Sequence, residues 1–141
     1  NQVAVPCASS WGNKGYHEVW LCEANDWIYR HLHMAAGMMT SIASRRSGAG
    51  GVLRRALNQA ARELMLAQSS DWAFIMSTGT MVEYAVKRTK THINNFLRLH
   101  DEIESNRIDE GWLGDLEYRN NIFPDMDYNW YRQLAPEEKA V

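Results

Sequence analysis

Apolar side chains recur at steps of three and four along most of this chain, and that period predicts helices. Ile28, Leu32, Ala35, Met38 or Met39, and Ile42 make the first stripe. Asn25 is placed to cap this helix, and Asp26 suits the positive end of its dipole. "SRRSGAGG" then interrupts the pattern with glycines and serines, as a loop does. A second stripe runs through Leu53, Leu57, Ala60, Leu64 and Ala67. In "QSSDWAFIM", Ser69 or Ser70 can cap a short helix with Asp71 in its first turn and Trp72 and Phe74 on its body. After a break at Gly79, Thr80 and Glu83 have the spacing of a capping box. The longest stripe follows, on Val82, Ala85, Thr89, Ile93, Phe96, His100 and Ile103. A last helix, over about Asp109 to Arg119, carries Trp112, Leu113 and Leu116.

The two ends lack this period. Residues 1–24 read as an irregular aromatic segment, in which the alternation of "YHEVWL" permits one short strand. "NNIFPDMDYNWYR" is an aromatic stretch interrupted by proline, expected to wrap back over the helices, and "APEEKAV" reads as a polar, frayed end. The expected fold is all-α, a bundle-like domain of about five helices. Its divisions are the irregular segment 1–24, a helical core 25–119 and a wrapping tail 120–141. The 141 residues suit a single domain with a sizeable core.

Charge and composition exclude more than they select. A net charge of −2 and a pI near 6.2 supply no pull toward nucleic acid or an anionic membrane. No apolar run reaches the roughly 18–20 residues of a membrane span. The start, "NQVAVPCASS", lacks the pattern of a signal peptide, so a cytoplasmic protein is expected. It also lacks an initiator Met, as a piece of a longer protein would. Cys7 and Cys22 can pair across the aromatic segment or stay as thiols, but two cysteines make no disulfide framework.

Catalytic and metal chemistry find little support. On a helix His31 and His33 diverge by about 200°, and His92 and His100 lie more than about 10 Å apart along the axis. Neither pair suits a metal, and no cofactor is expected. "SGAGG" lacks the Lys-Ser/Thr of a phosphate loop. No carboxylates form a recognisable acid/base pair. Asp71 is expected to act as a helix-start residue, and Cys7 as a small buried one.

The aromatics are unusual, with 6 Trp and 6 Tyr beside 7 Met. Trp27, Trp72 and Trp112 fall on helical stripes and read as core. In "SSWGNKGYHEVWL", Trp11, Tyr16 and Trp20 do not. Gly12 and Gly15 let this segment turn tightly and let a ligand approach its backbone. A tryptophan face can stack on the C–H face of a sugar, with Lys14, His17 and Glu18 available to its hydroxyls. Packing or a partner interface would use the same residues.

The blocks "SSWGNKGYHEVWL", "NDWIYRHLH", "ALNQAARELMLAQSSDWAFIMSTGTMVEYAVKRTKTHINNF" and "NIFPDMDY" closely resemble the C-terminal helical domain of family 57 1,4-α-glucan branching enzymes. The resemblance runs from about Ser9 to Tyr131; "SIASRRSGAGGVLRR" departs from it. It implies a parent enzyme with a catalytic barrel that carries a glutamate nucleophile and an aspartate acid/base, both absent from this chain. Trp11 and Trp20 match two tryptophans that line the family's glucan cleft. Gly12, Tyr16, His17, Asp71 and Trp72 would be supporting or structural residues. The implied partners are an α-glucan chain and the barrel of the same polypeptide. The alternatives are an accessory domain of a same-family amylase, or a helical protein-interaction domain without a carbohydrate role.

Overall fold

The structure, a computed structural model, describes residues 3–133; every regular element there is helical, and no strand occurs among them. Five α-helices follow one another: α1 (Trp27–Arg45), α2 (Gly51–Ala67), α3 (Ser70–Thr78), α4 (Val82–Glu104) and α5 (Glu110–Arg119). Short 3-10 turns lie at Asn13–Gly15 and Tyr128–Tyr131. "YHEVWL" is not the strand its alternation permits. His17 has φ +68°, and its carbonyl accepts from the amides of Trp20 and Leu21 at 2.9 Å, which curls the segment into turns.

The predicted stripes bury the expected faces. Ile28, Leu32, Ala35, Met39 and Ile42 of α1 are inside, as are Leu57, Ala60, Leu64 and Ala67 of α2. On α4 the buried face includes His92 and Leu99, and His100 lies at its edge. The helices α2 and α4 form the central pair. The larger core cluster joins them to the second half of α1, to Leu113 and Leu116 of α5, and to Met126 and Tyr128. The smaller cluster joins Ile28 and Leu32 of α1 to Trp72, Ala73 and Met76 of α3 and Ala85 and Ile93 of α4.

Tyr128 anchors the aromatic tail. Its ring is buried, its hydroxyl donates to the Arg46 carbonyl at 2.7 Å, and the same oxygen accepts from the Ala49 amide at 3.0 Å. The tail thereby closes the loop between α1 and α2. The expected frayed end, "APEEKAV", lies outside the described residues.

Three predicted caps differ from the structure. Asn25 does not cap α1, which begins at Trp27 after Asp26; its amide is wholly buried and bonded elsewhere. Thr80 and Glu83 form no capping box, because Met81, with left-handed φ +57°, occupies the N-cap of α4 without a side-chain cap bond. Ser69 precedes α3, but its hydroxyl donates to the Asp71 carboxylate at 2.8 Å and caps no amide. At α5 the cap forms: Asp109 accepts from the Trp112 amide at 3.0 Å.

Between α2 and α4 lies a buried ion that no stripe announces. Glu63 accepts from His92 Nδ1 at 2.7 Å, Asn95 at 3.1 Å, Asn120 at 2.7 Å and Gln59 at 3.0 Å. Burial alone would raise its pKa. The bonds from His92, Asn120 and Asn95 outweigh that and hold it below its ordinary 4.5. A depressed pKa contributes stability that is present above the unfolded value and lost as pH falls through the folded one. Wild-type protein is therefore expected to lose stability below about pH 4.5, and Glu63→Gln to lack that part of the acid limb. At neutral pH the variant should be less stable by about 1–3 kcal/mol, as measured by denaturant melts across a pH series.

Candidate functional site

The opening segment is folded on itself. The Ser10 amide donates to the Gly15 carbonyl and the Gly15 amide to the Gly12 carbonyl, each at 2.9 Å. The Ser10 hydroxyl accepts from the His17 amide at 2.8 Å. Gly12, Asn13, Lys14, Gly15 and His17 all have positive φ. At Gly12, φ is +83° and an added Cβ would stand 3.0 Å from Val19 Cγ2. A side chain there would strain both the backbone and the packing. Left-handed non-glycine residues each cost on the order of 1–3 kcal/mol, and such strain is kept where surrounding contacts over-determine the geometry.

This coil sets Trp11 and Trp20 against Phe74 of α3, more than 50 residues further along the chain. Trp11 and Trp20 lie 6.2 Å apart between centroids, Trp11 and Phe74 5.8 Å, and Trp20 and Phe74 6.2 Å. All three pairs are tilted, within the range of favourable aromatic contact. Trp11 is 69% exposed, while Trp20 and Phe74 are half-buried. Trp20 also packs on the smaller core cluster, so it is tied to the fold more closely than its place outside the stripes suggests.

Two side chains hold the cluster in place. The Asn25 amide donates to the Val19 carbonyl at 3.0 Å and to the Ala73 carbonyl at 3.1 Å, and its oxygen accepts from the Cys22 amide at 2.9 Å. It thus joins the coil beside Trp20 to α3 beside Phe74. The Tyr29 hydroxyl donates to the Trp20 carbonyl. Burial, and then the neighbouring Cys22, push the Tyr29 phenol above its usual pKa and keep it a neutral donor.

The remaining candidates divide. Tyr16 and His17 are exposed, and Lys14 and Glu18 stand on the same coil, with Glu18 accepting from the Asn13 amide group. Asp71 is exposed, three residues before Phe74 and so on the same side of α3. Trp72 points the other way. It is buried, its indole donates to the Leu66 carbonyl at 2.7 Å, and its ring meets Tyr84 edge-on. It packs α3 against α2 and α4 and takes no part in the exposed cluster.

Phe74, Asn25 and Tyr29 are absent from the candidate binding residues that the sequence offers; Asn25 and Phe74 stand there only as a helix cap and a helix-body residue. Phe74 had one signal in the sequence, a large apolar residue in "SSDWAFI" two positions from Trp72 and so on a different face of the helix. Asn25 looked like a cap because caps and buried amides use the same residue type. Cys7 is exposed, not the small buried residue expected, and Cys22 is half-buried; both are free. Among the described residues no group of three or more His, Cys, Asp or Glu side chains gathers as a metal site would require. The cluster offers ring faces and rim polar groups, which suit binding a ligand with a flat apolar face.

Residues 31–131 match the family model of the 1,4-alpha-glucan branching enzyme, C-terminal. A 1,4-alpha-glucan branching enzyme of Thermococcus kodakarensis is 36% identical over 142 residues, which cover 98% of this chain and 21% of that protein. Among solved structures, the alpha-amylase AmyC from Thermotoga maritima is 44% identical with a TM-score of 0.78, over 95% of this chain and 24% of its own. The GH57 branching enzyme from Thermococcus kodakaraensis, solved in complex with glucose and additives, is 34% identical with a TM-score of 0.84, over 91% and 24%. The GH57-type branching enzyme from Pyrococcus horikoshii is 34% identical, also at 0.84, over 95% and 26%. The chain thus spans about a fifth to a quarter of the length of these relatives.

Asn25→Ala should cost about 1–3 kcal/mol, because it leaves the part-buried Val19 carbonyl and the buried Ala73 carbonyl without their donor. Amide exchange at residues 17–22 should accelerate with it. Phe74→Ala should change Trp emission and lower the melting temperature by less than a core Phe→Ala would, since its half-buried ring packs on Trp11 and Trp20.

Proposed function

Because the chain belongs to the family of 1,4-alpha-glucan branching enzyme C-terminal domains, we propose that it is the helical domain of a larger family 57 enzyme and bears an aromatic wall of that enzyme's α-glucan cleft. The observation that carries this reading is the convergence of Trp11 and Trp20, on a coil locked by Asn25 and Tyr29, with Phe74 of α3. Its partners are an α-glucan chain and the catalytic barrel of the same polypeptide, in the cytoplasm. Trp11 and Trp20 of the opening segment and Phe74 of α3 supply the wall, the helical core supplies the scaffold, and the tail around Tyr128 closes the loop between α1 and α2. Among the described residues no helix is long and apolar enough to cross a membrane.

The reaction is cleavage of an α-1,4 bond, formation of a covalent glycosyl-enzyme, and transfer to a 6-hydroxyl of a second glucan. A retaining mechanism with two carboxylates accomplishes this, with the acceptor hydroxyl in place of water. Both carboxylates belong to the barrel. What this chain contributes is position and dryness. Indole faces hold the sugar rings, and a rigid aromatic wall keeps water from the intermediate.

A second reading is an amylase, favoured by the 44% identity to the Thermotoga alpha-amylase against 34% for the two branching-enzyme structures. The two readings share the aromatic wall and differ in the acceptor, water or a sugar hydroxyl.

In the parent enzyme, Trp11→Ala should lower the ratio of branching to hydrolysis about tenfold, equivalent to roughly 1.4 kcal/mol of transition-state positioning. The melting temperature should hardly change, since Trp11 is mostly exposed. Trp20→Ala should lower the ratio and also some stability, because its ring touches the core. An unchanged ratio in both variants would remove the rings from the reaction. The 141-residue chain alone should leave the iodine-stain spectrum of amylose unchanged.

A further inference from the structure

The tail builds a second aromatic concavity, made of residues the cluster at Trp11 does not use. A cavity of about 460 Å³ is lined by Met65, Phe123, Asp125, Met126, Trp130 and Tyr131. That volume lies in the range of small-molecule sites, roughly 300–1,000 Å³. Trp130 is 69% exposed and Phe123 51%, which leaves large ring faces open to solvent.

The walls are fixed. Phe123 has φ +50°, a conformation that L side chains rarely adopt. The carbonyl of the neighbouring Ile122 accepts from Arg62 Nε at 2.9 Å, and the Phe123 carbonyl accepts from the Met126 amide at 2.9 Å. On the other side Trp130 stands in the turn anchored by buried Tyr128, and its amide donates to the Asp127 carbonyl at 3.1 Å. The chain therefore holds two exposed rings in a strained, well-braced frame.

We infer that this groove is a second α-glucan-binding site, in which Trp130 and Phe123 take sugar faces and Asp125 and the Tyr131 hydroxyl bond to the rim. The inference rests on the proposed function only for the class of ligand. An uncharged glucan offers alternating C–H faces and hydroxyl edges. The groove offers rings, one carboxylate that accepts from hydroxyls, and a phenol that can donate or accept. Docking of another protein domain fits less well. A stable interface needs about 1,000 Å² or more, largely apolar at its centre. Here two exposed rings stand beside exposed Asp125 and the ion pair of Arg54 with Asp127 at 3.7 Å. For a long polymer, a second site on the same domain raises the effective concentration of chain near the first.

The test is titration of the 141-residue chain with maltoheptaose, followed by tryptophan fluorescence and by the indole N–H signals in NMR. Shifts are expected at both Trp11 and Trp130. Trp130→Ala should abolish the response at its own groove, weaken binding there about tenfold or more, and leave the Trp11 signal in place. Trp11→Ala should do the reverse, so loss of one site is distinguishable from loss of the other. Wild-type affinity in Trp130→Ala, a response confined to Trp11, or no response in either region would overturn the inference. So would a marked fall in the melting temperature of the parent enzyme, but not of the chain, on Trp130→Ala; that result would assign the groove to domain docking.

Discussion

One buried carboxylate constrains how the helices of this domain fit together. Glu63 sits between α2 and α4 with no exposed side-chain surface, and it accepts from four side chains. Two of them lie on α4 and a third, Asn120, at the end of α5. An uncompensated buried charge costs several kcal/mol, and the cost is offset only when every partner is in position. Apolar contacts between helices tolerate sliding, since burial has no direction; hydrogen bonds at 2.7–3.1 Å do not. One ion therefore sets the register of α2 against α4 and the place where α5 ends.

With that pair in place, the core divides. The larger cluster takes in the second half of α1, α5 and the tail, and the smaller one takes in α3 and the start of α1. The exposed aromatic cluster stands on the smaller side, on a coil with five positive-φ residues between Gly12 and His17. Such a coil has little regular structure of its own to hold it. Asn25 does for the coil what Glu63 does for the helices: a single buried polar side chain ties backbone groups from two segments into one geometry.

The same domain occurs in solved proteins named as an amylase and as branching enzymes. A shared fold does not choose between water and a sugar hydroxyl as acceptor; that choice is made by residues at the reacting centre. What a helical domain can supply is a rigid surface. The rings of Trp11, Trp20 and Phe74 form such a surface, and each has only two side-chain torsions to lose.

Periodicity by itself determined that this chain is helical, where the five helices run, and which of their faces are buried. Local steps of three and four residues encode those properties, and nearly every predicted stripe residue is inside. Off-stripe position also marked Trp11 and Trp20 as unusual, and the resemblance attached a ligand class to them. Caps were less legible: Asn25, Ser69 and Thr80 have the right chemistry for capping, but their neighbours in space offered other bonds or other backbone angles. The meeting of Phe74 with two tryptophans more than 50 residues away, the buried Glu63–His92 pair and the groove at Trp130 were decided only by the tertiary structure. Each depends on side chains from segments distant along the chain, and no local period records which of them will face one another.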